Sequence, residues 1–217
     1  MKISHYIMAF ILFLVCAFLT VTYAAGYKID IKQRKVSQTG IISVQDDGGK
    51  IYINGKFEGT NEITLRNLAA GEYLVEVKKD GYHPWSKSFE LAPGEAKILN
   101  DIVQFKENPK VEEYKIETSD FFQKLADTDN LQVNNGEIYQ NGNFVTRFEK
   151  DVFGASWYPN RKYISFTYEG KLRIMDIDGN NNIEIVNKNS TSPAVFVNSG
   201  RTVVYENDGK IYRAEIR

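Results

Sequence analysis

The sequence predicts an all-β chain carried behind one N-terminal transmembrane helix. Three observations predict it. Residues 6–25 are uncharged and almost wholly apolar. Residues 40–105 alternate in short runs punctuated by turn residues. In the C-terminal third a strand-rich pattern returns after 39 positions. Aromatic residues are frequent (13 Tyr, 13 Phe, 2 Trp). With many Val, Ile and Thr they fit a pleated, half-buried surface. Charged residues at 25% and a formal charge of −1 argue against wholesale disorder and against a general attraction to nucleic acid.

The helix comes first in the chain. YIMAFILFLVCAFLTVTYAA has the length that crosses a hydrocarbon layer of about 30 Å at about 1.5 Å per residue. Tyr6, Tyr23 and Tyr27 lie towards its ends, where amphipathic rings prefer to sit. The run is long for the apolar stretch of a cleaved signal, and Thr22-Tyr23-Ala24 is a poor cleavage site, so an uncleaved anchor over residues 1–27 is expected. Cys16 is the only cysteine. It lies inside the run and is followed by apolar residues, which does not suit a lipidated start. Lys2 precedes the span, while Lys28, Lys32, Arg34 and Lys35 follow it in the juxtamembrane residues 28–39. A plain count of these charges would place the C-terminal side in the cytoplasm.

A compact β unit is expected next, over residues 40–106. Ile41, Ile42 and Val44 read as one short strand and Ile51 to Ile53 as a second. Asn54-Gly55 offers the positive φ angles of a tight hairpin. Gly59 is read as a break, with Ile63 to Leu65 beyond it. Tyr73, Val75 and Val77 share one face of the next strand. Asp80-Gly81 is a turn, residues 85–91 a strand, and residues 96–105 the last strand. About seven short strands with frequent turns suggest a sandwich.

At these residues the chain resembles the PEGA domain family. The resemblance is carried by IYINGKFEGT (residues 51–60), LAAGEYLVEV (residues 68–77) and KDGYHPW (residues 79–85). It departs at the four residues that name the family, which are Asp47-Gly48-Gly49-Lys50 here, and at Asn61-Glu62. The resemblance implies a small immunoglobulin-like β-sandwich on a prokaryotic cell surface, non-catalytic and with no set ligand. GYKIDIK (residues 26–32) also resembles the lead-in of membrane-anchored proteins of that family. Tyr82 and Trp85 are expected to plug the sandwich edge. The alternative is that Tyr82, His83 and Trp85 form an exposed contact for a glycan, peptidoglycan or protein partner, since aromatic rings stack on sugar faces.

Residues 107–130 read as a linker: Pro109 and the charges of KENPKVEE mark a connector. Ser119 is placed to cap a short helix over residues 120–126 with Phe121, Phe122 and Leu125 on its apolar side. From 131 to 217 the repeat governs. Trp157, Ile164, Phe166, Gly170 and Leu172 return 39 positions on as Phe196, Val203, Tyr205, Gly209 and Ile211, after a partial copy at residues 136–139. SWYPNRKYISF (residues 156–166) with LRIMDIDG (residues 172–179) resembles the blades of TolB-type β-propellers. The full expectation is thus a transmembrane helix, the sandwich, then partial β-propeller-like blades. Two blades and a fragment leave sheet faces to cover. They could fold back on the sandwich through the Phe121-Phe122-Leu125 helix or meet a second copy of the chain; docking within the chain, with Phe121, Phe122 and Trp157 mostly buried, is the expected solution.

No catalytic set is legible. His83 is the only histidine outside the span's edge, no glycine-rich phosphate loop occurs, and no zinc spacing occurs. Asp176-Ile-Asp-Gly-Asn-Asn-Asn has the look of a calcium loop, but its sixth and twelfth positions are Asn181 and Asn187, so it reads as a hairpin turn. The sequence therefore predicts no catalytic, metal or cofactor residues, a membrane partner through the anchor, envelope proteins or glycans as further partners, and no nucleic acid. The expected location is a single-pass membrane protein with its soluble part extracytoplasmic.

Overall fold

The computed structural model describes residues 2–30, 35–115 and 121–217. It is mostly β, with one long N-terminal helix and several sheets. Helix α1 runs Lys2–Ala24. Its span His5–Ala24 is long and apolar enough to cross a membrane, and none of that window is buried by the rest of the chain. Thr20 and Thr22 donate their hydroxyls to the carbonyls of Cys16 and Phe18 (2.8 and 2.7 Å), so these polar groups are satisfied inside the helix.

The chain divides into two compact units. One comprises Met1–Glu76 and Ser88–Asn100, the other Val77–Lys87 and Asp101–Arg217.

In the first unit, strands β1 (Tyr27–Asp30) and β2 (Lys35–Gln38) pair antiparallel, where the sequence reading saw only a juxtamembrane segment. Thr39 closes this hairpin: its N–H and its hydroxyl both reach the Gly26 carbonyl at 2.7 Å. Then come β3 (Gly40–Ile53), β4 (Lys56–Leu68), β5 (Gly71–Lys78), β6 (Trp85–Leu91) and β7 (Ala96–Leu99). They form one sheet in the order β4-β3-β5-β6, with β7 parallel to the Ile41–Val44 stretch of β3.

Three details differ from the sequence reading. The two short strands either side of Asp47–Lys50 are one strand, kept continuous by a register shift between Gln45 and Lys50. Gly59 does not break β4; it pairs with Ile51 beside another register shift. The last strand stops at Leu99 and does not reach Phe105. Asn54 (φ 51°) and Gly55 (φ 77°) make the predicted turn. Ile42, Val44, Ile51, Val75, Val77 and Leu91 are buried; on β5 the face expected to carry Tyr73, Val75 and Val77 is the inward one, with Tyr73 half-buried.

The second unit holds three antiparallel sheets. The first contains β9 (Leu131–Asn134), β10 (Glu137–Gln140) and β11 (Asn143–Arg147). The next contains β12 (Phe153–Trp157), β13 (Tyr163–Tyr168), β14 (Lys171–Asp176) and β15 (Ile183–Asn187). The last contains β16 (Val195–Val197), β17 (Thr202–Asn207) and β18 (Lys210–Glu215). Its fourth strand is β8 (Lys110–Glu113), which lies in the stretch read as a linker. Across that ladder Arg213 pairs with Glu112 at 2.8 Å.

The 39-residue repeat has a direct structural meaning: β13 and β17, and likewise β14 and β18, occupy matching places in their sheets. Their hairpins turn at Glu169-Gly170 (φ 51° and 71°) and Asp208-Gly209 (φ 50° and 75°).

Two apolar cores lie within this unit. Ile138, Trp157, Ile164, Phe166 and Met175 form one core, flanked by Leu131, Val133 and Val145. This packs the three-stranded sheet on the next one. Helix α2 (Phe121–Leu125) lays Phe122 against Val195 and Val204. Phe122 and Trp157 are buried as expected, Phe121 is half-buried, and Leu125 is exposed, because a helix this short turns only one edge to the sheet. The proposed cap Ser119 lies outside the described residues.

Candidate functional site

The three residues singled out in the sequence lie in Val77–Lys87, the part of the β5–β6 hairpin that belongs to the second unit. They do not form one exposed platform. Trp85 is only 6% exposed. Its indole Nε1 donates to Asp176 Oδ2 at 3.2 Å. Tyr82 is half-buried, bridges to Lys106, and carries the Lys79 ammonium 4.5 Å above its ring. The His83 N–H donates to the Phe105 carbonyl at 2.8 Å, while its Nε2 is shielded and has no partner among the described residues.

Of the three only Trp85 joins, with Ser86 and Lys87, a hydrogen-bonded cluster on the β14–β15 turn. Asn181 is its centre. Its Nδ2 donates to Asp176 Oδ2 and to the Ser86 carbonyl, both at 2.9 Å, and its Oδ1 accepts from the Ser86 N–H at 2.9 Å. Lys87 pairs with Asp178 at 2.8 Å. The turn itself is a tight loop: the Gly179 N–H returns to the Asp176 carbonyl and the Asp176 N–H donates to the Asn180 carbonyl. Asp176 is 5% exposed and its Oδ1 lacks a partner among the described residues. Burial pushes its carboxyl up to about 6, partly opposed by the Asn181 hydrogen bond. Among the described residues no group of three His, Cys, Asp or Glu is placed to hold a metal.

Two further groups escaped the sequence reading. Tyr158 is the hub of a buried aromatic cluster, edge-on to Phe105 (5.4 Å), Tyr163 (5.9 Å) and Phe196 (5.1 Å). Lys188 is fully buried. Its ammonium donates to Thr167 Oγ1 and to the carbonyls of Ser190 and Ser192 at 2.6–2.7 Å, and burial pushes it down to about 8. Nothing in the local pattern of Val186-Asn187-Lys188-Asn189 separates this lysine from an ordinary surface one. Asp176, Tyr158 and Lys188 are each held by structural partners.

Residues 39–103 match the PEGA domain family, within one residue of the start expected from the sequence. No curated protein matches the chain.

Proposed function

We propose that this chain is a membrane-tethered, non-catalytic module of the cell envelope, which holds protein partners at the membrane surface. The observation that carries the reading is the pairing of an unburied, uncharged helical span with a PEGA match that follows it closely. Phe10, Phe13, Phe18 and Val21 on α1 are not covered by any of the described residues, and lipid is the solvent that suits them. The match supports an extracytoplasmic side for residues 28–217. The sandwich reading of residues 40–106 is part of the proposal, as are the propeller-like blades of residues 131–217. Successive antiparallel sheets and the strict 39-residue return support the blades. The absence of catalysis is supported by the roles of Asp176 and Lys188, whose perturbed groups are engaged in holding loops.

Membrane fractionation tests the tether. The full-length chain stays in the pellet through a carbonate wash; a soluble product starting near Ala25 would sink the reading. Protease added to intact spheroplasts tests the side. Loss of the β-rich part supports the outward orientation, and protection until lysis would instead follow the charge count of Lys28, Lys32, Arg34 and Lys35.

A further inference from the structure

The second unit contains a cleft of about 650 Å³ bordered by β14 and β15 on one side and by β17, β18 and the approach to β8 on the other. That volume lies in the range of about 300–1,000 Å³ common to small-ligand sites. One wall is aromatic. Tyr212 stacks on the buried Tyr205, ring centroids 5.9 Å apart at 27°, so a rigid ring backs the one nearer solvent. Such a ring takes the C–H face of a sugar.

The remaining lining is rich in planar polar groups. Asn108, Glu107, Glu184 and Asn187 line the cleft. Amides and carboxylates of this kind bond neighbouring hydroxyls in pairs. Lys171 donates to Asn187 Oδ1 at 2.6 Å, which fixes the amide and leaves its NH₂ side as the donor. His83 also lines the cleft, but its Nε2 is shielded from solvent and offers no contact there.

Charge and backbone narrow the class. Glu107 and Glu184 against Lys171 give no excess of positive charge, so a polyanion is disfavoured. An added peptide strand is disfavoured too. The β14–β15 register shifts between Leu172 and Arg173, and Pro109 at the approach to β8 has no N–H to offer.

We propose that this cleft binds a neutral saccharide, with Tyr212 as the stacking face and Asn108, Asn187 and Glu184 as hydroxyl partners. The site is distinct from the surface of Tyr82 and Trp85, and it stands apart from the tethering reading: it holds whichever side of the membrane the unit faces.

The test uses the full-length chain in a zwitterionic detergent without a sugar headgroup. Saturation-transfer NMR and calorimetry are run with cellobiose, lactose and N,N′-diacetylchitobiose. At least one disaccharide is expected to bind. Tyr212→Phe should retain it, while Tyr212→Ala and Asn108→Ala should each weaken it by about tenfold. The Asn108 side chain makes no hydrogen bond among the described residues, so its variant stays informative even where Tyr212→Ala fails to fold. No binding of any of the three, binding unchanged in both alanine variants, or binding of an extended Val-Thr hexapeptide in place of the sugars would overturn the proposal.

Discussion

Asp176 shows how one residue links a turn to pH. Its carboxyl, raised by burial from 3.8 to about 6, keeps a proton in the folded chain that the unfolded chain releases near its ordinary value. Its contribution to stability is therefore fully present below about pH 4 and is lost as pH rises through about 6. Asp176→Asn removes that charge while keeping an oxygen for Trp85 and Asn181. The thermal midpoint of the variant should be flatter than the parent's across this window, and equal slopes would contradict the argument. Gly40 makes a second case. A Cβ there would sit 2.7 Å from Leu91 Cδ2 and 2.9 Å from the Glu95 carbonyl oxygen, so backbone must shift. Gly40→Ala should cost about 1–3 kcal/mol in chemical denaturation. Trp157 is buried in a core of seven residues and also donates Nε1 to the Asp129 carbonyl at 2.8 Å. Trp157→Ala should cost about 3–5 kcal/mol. An unchanged midpoint would remove it from the core.

At the level of elements, the hairpins are set by turn chemistry. Asn54-Gly55, Asn135-Gly136, Asn141-Gly142, Glu169-Gly170 and Asp208-Gly209 all place two successive residues at positive φ. Asparagine tolerates this conformation and glutamate does not. Glu169→Asn should then relieve a left-handed penalty of about 1 kcal/mol. It gives up one exposed ion pair to Lys150, worth at most about 1 kcal/mol and commonly less. A small net gain in stability is expected, and a loss would show that the ion pair matters more than the backbone. The β14–β15 connection is held differently, by Asn181 and Ser86 exchanging two hydrogen bonds.

At the level of the whole chain, the compact units do not coincide with continuous sequence. Val77–Lys87 belongs with residues 101–217, and its Trp85, Ser86 and Lys87 serve Asp176, Asn181 and Asp178. A fragment starting at Asp101 loses all three partners. It should melt below the corresponding transition of the full chain, with Trp85→Phe in the full chain reproducing part of the loss. Equal midpoints for fragment and full chain would show that the hairpin tip adds nothing.

The sequence by itself determined the apolar span, turns such as Asn54-Gly55, and the inward face of β5. Each is a local property: charge, φ preference and a two-residue period act within a few residues. It also determined the match of β13 to β17 and β14 to β18, because a repeat is visible wherever core residues recur. Only the tertiary structure decided that Lys110–Glu113 is a strand. Its partner β18 lies about a hundred residues on, and the polar, proline-led stretch carries no local sign of it. The same holds for the site. Trp85 reads as a plug of the sandwich edge, and its seat on Asp176 is hidden because that partner is remote in sequence; Lys188 reads like any surface lysine because its three acceptors converge only after folding. Burial is a property of what the rest of the chain brings to a residue, and no window around that residue contains it.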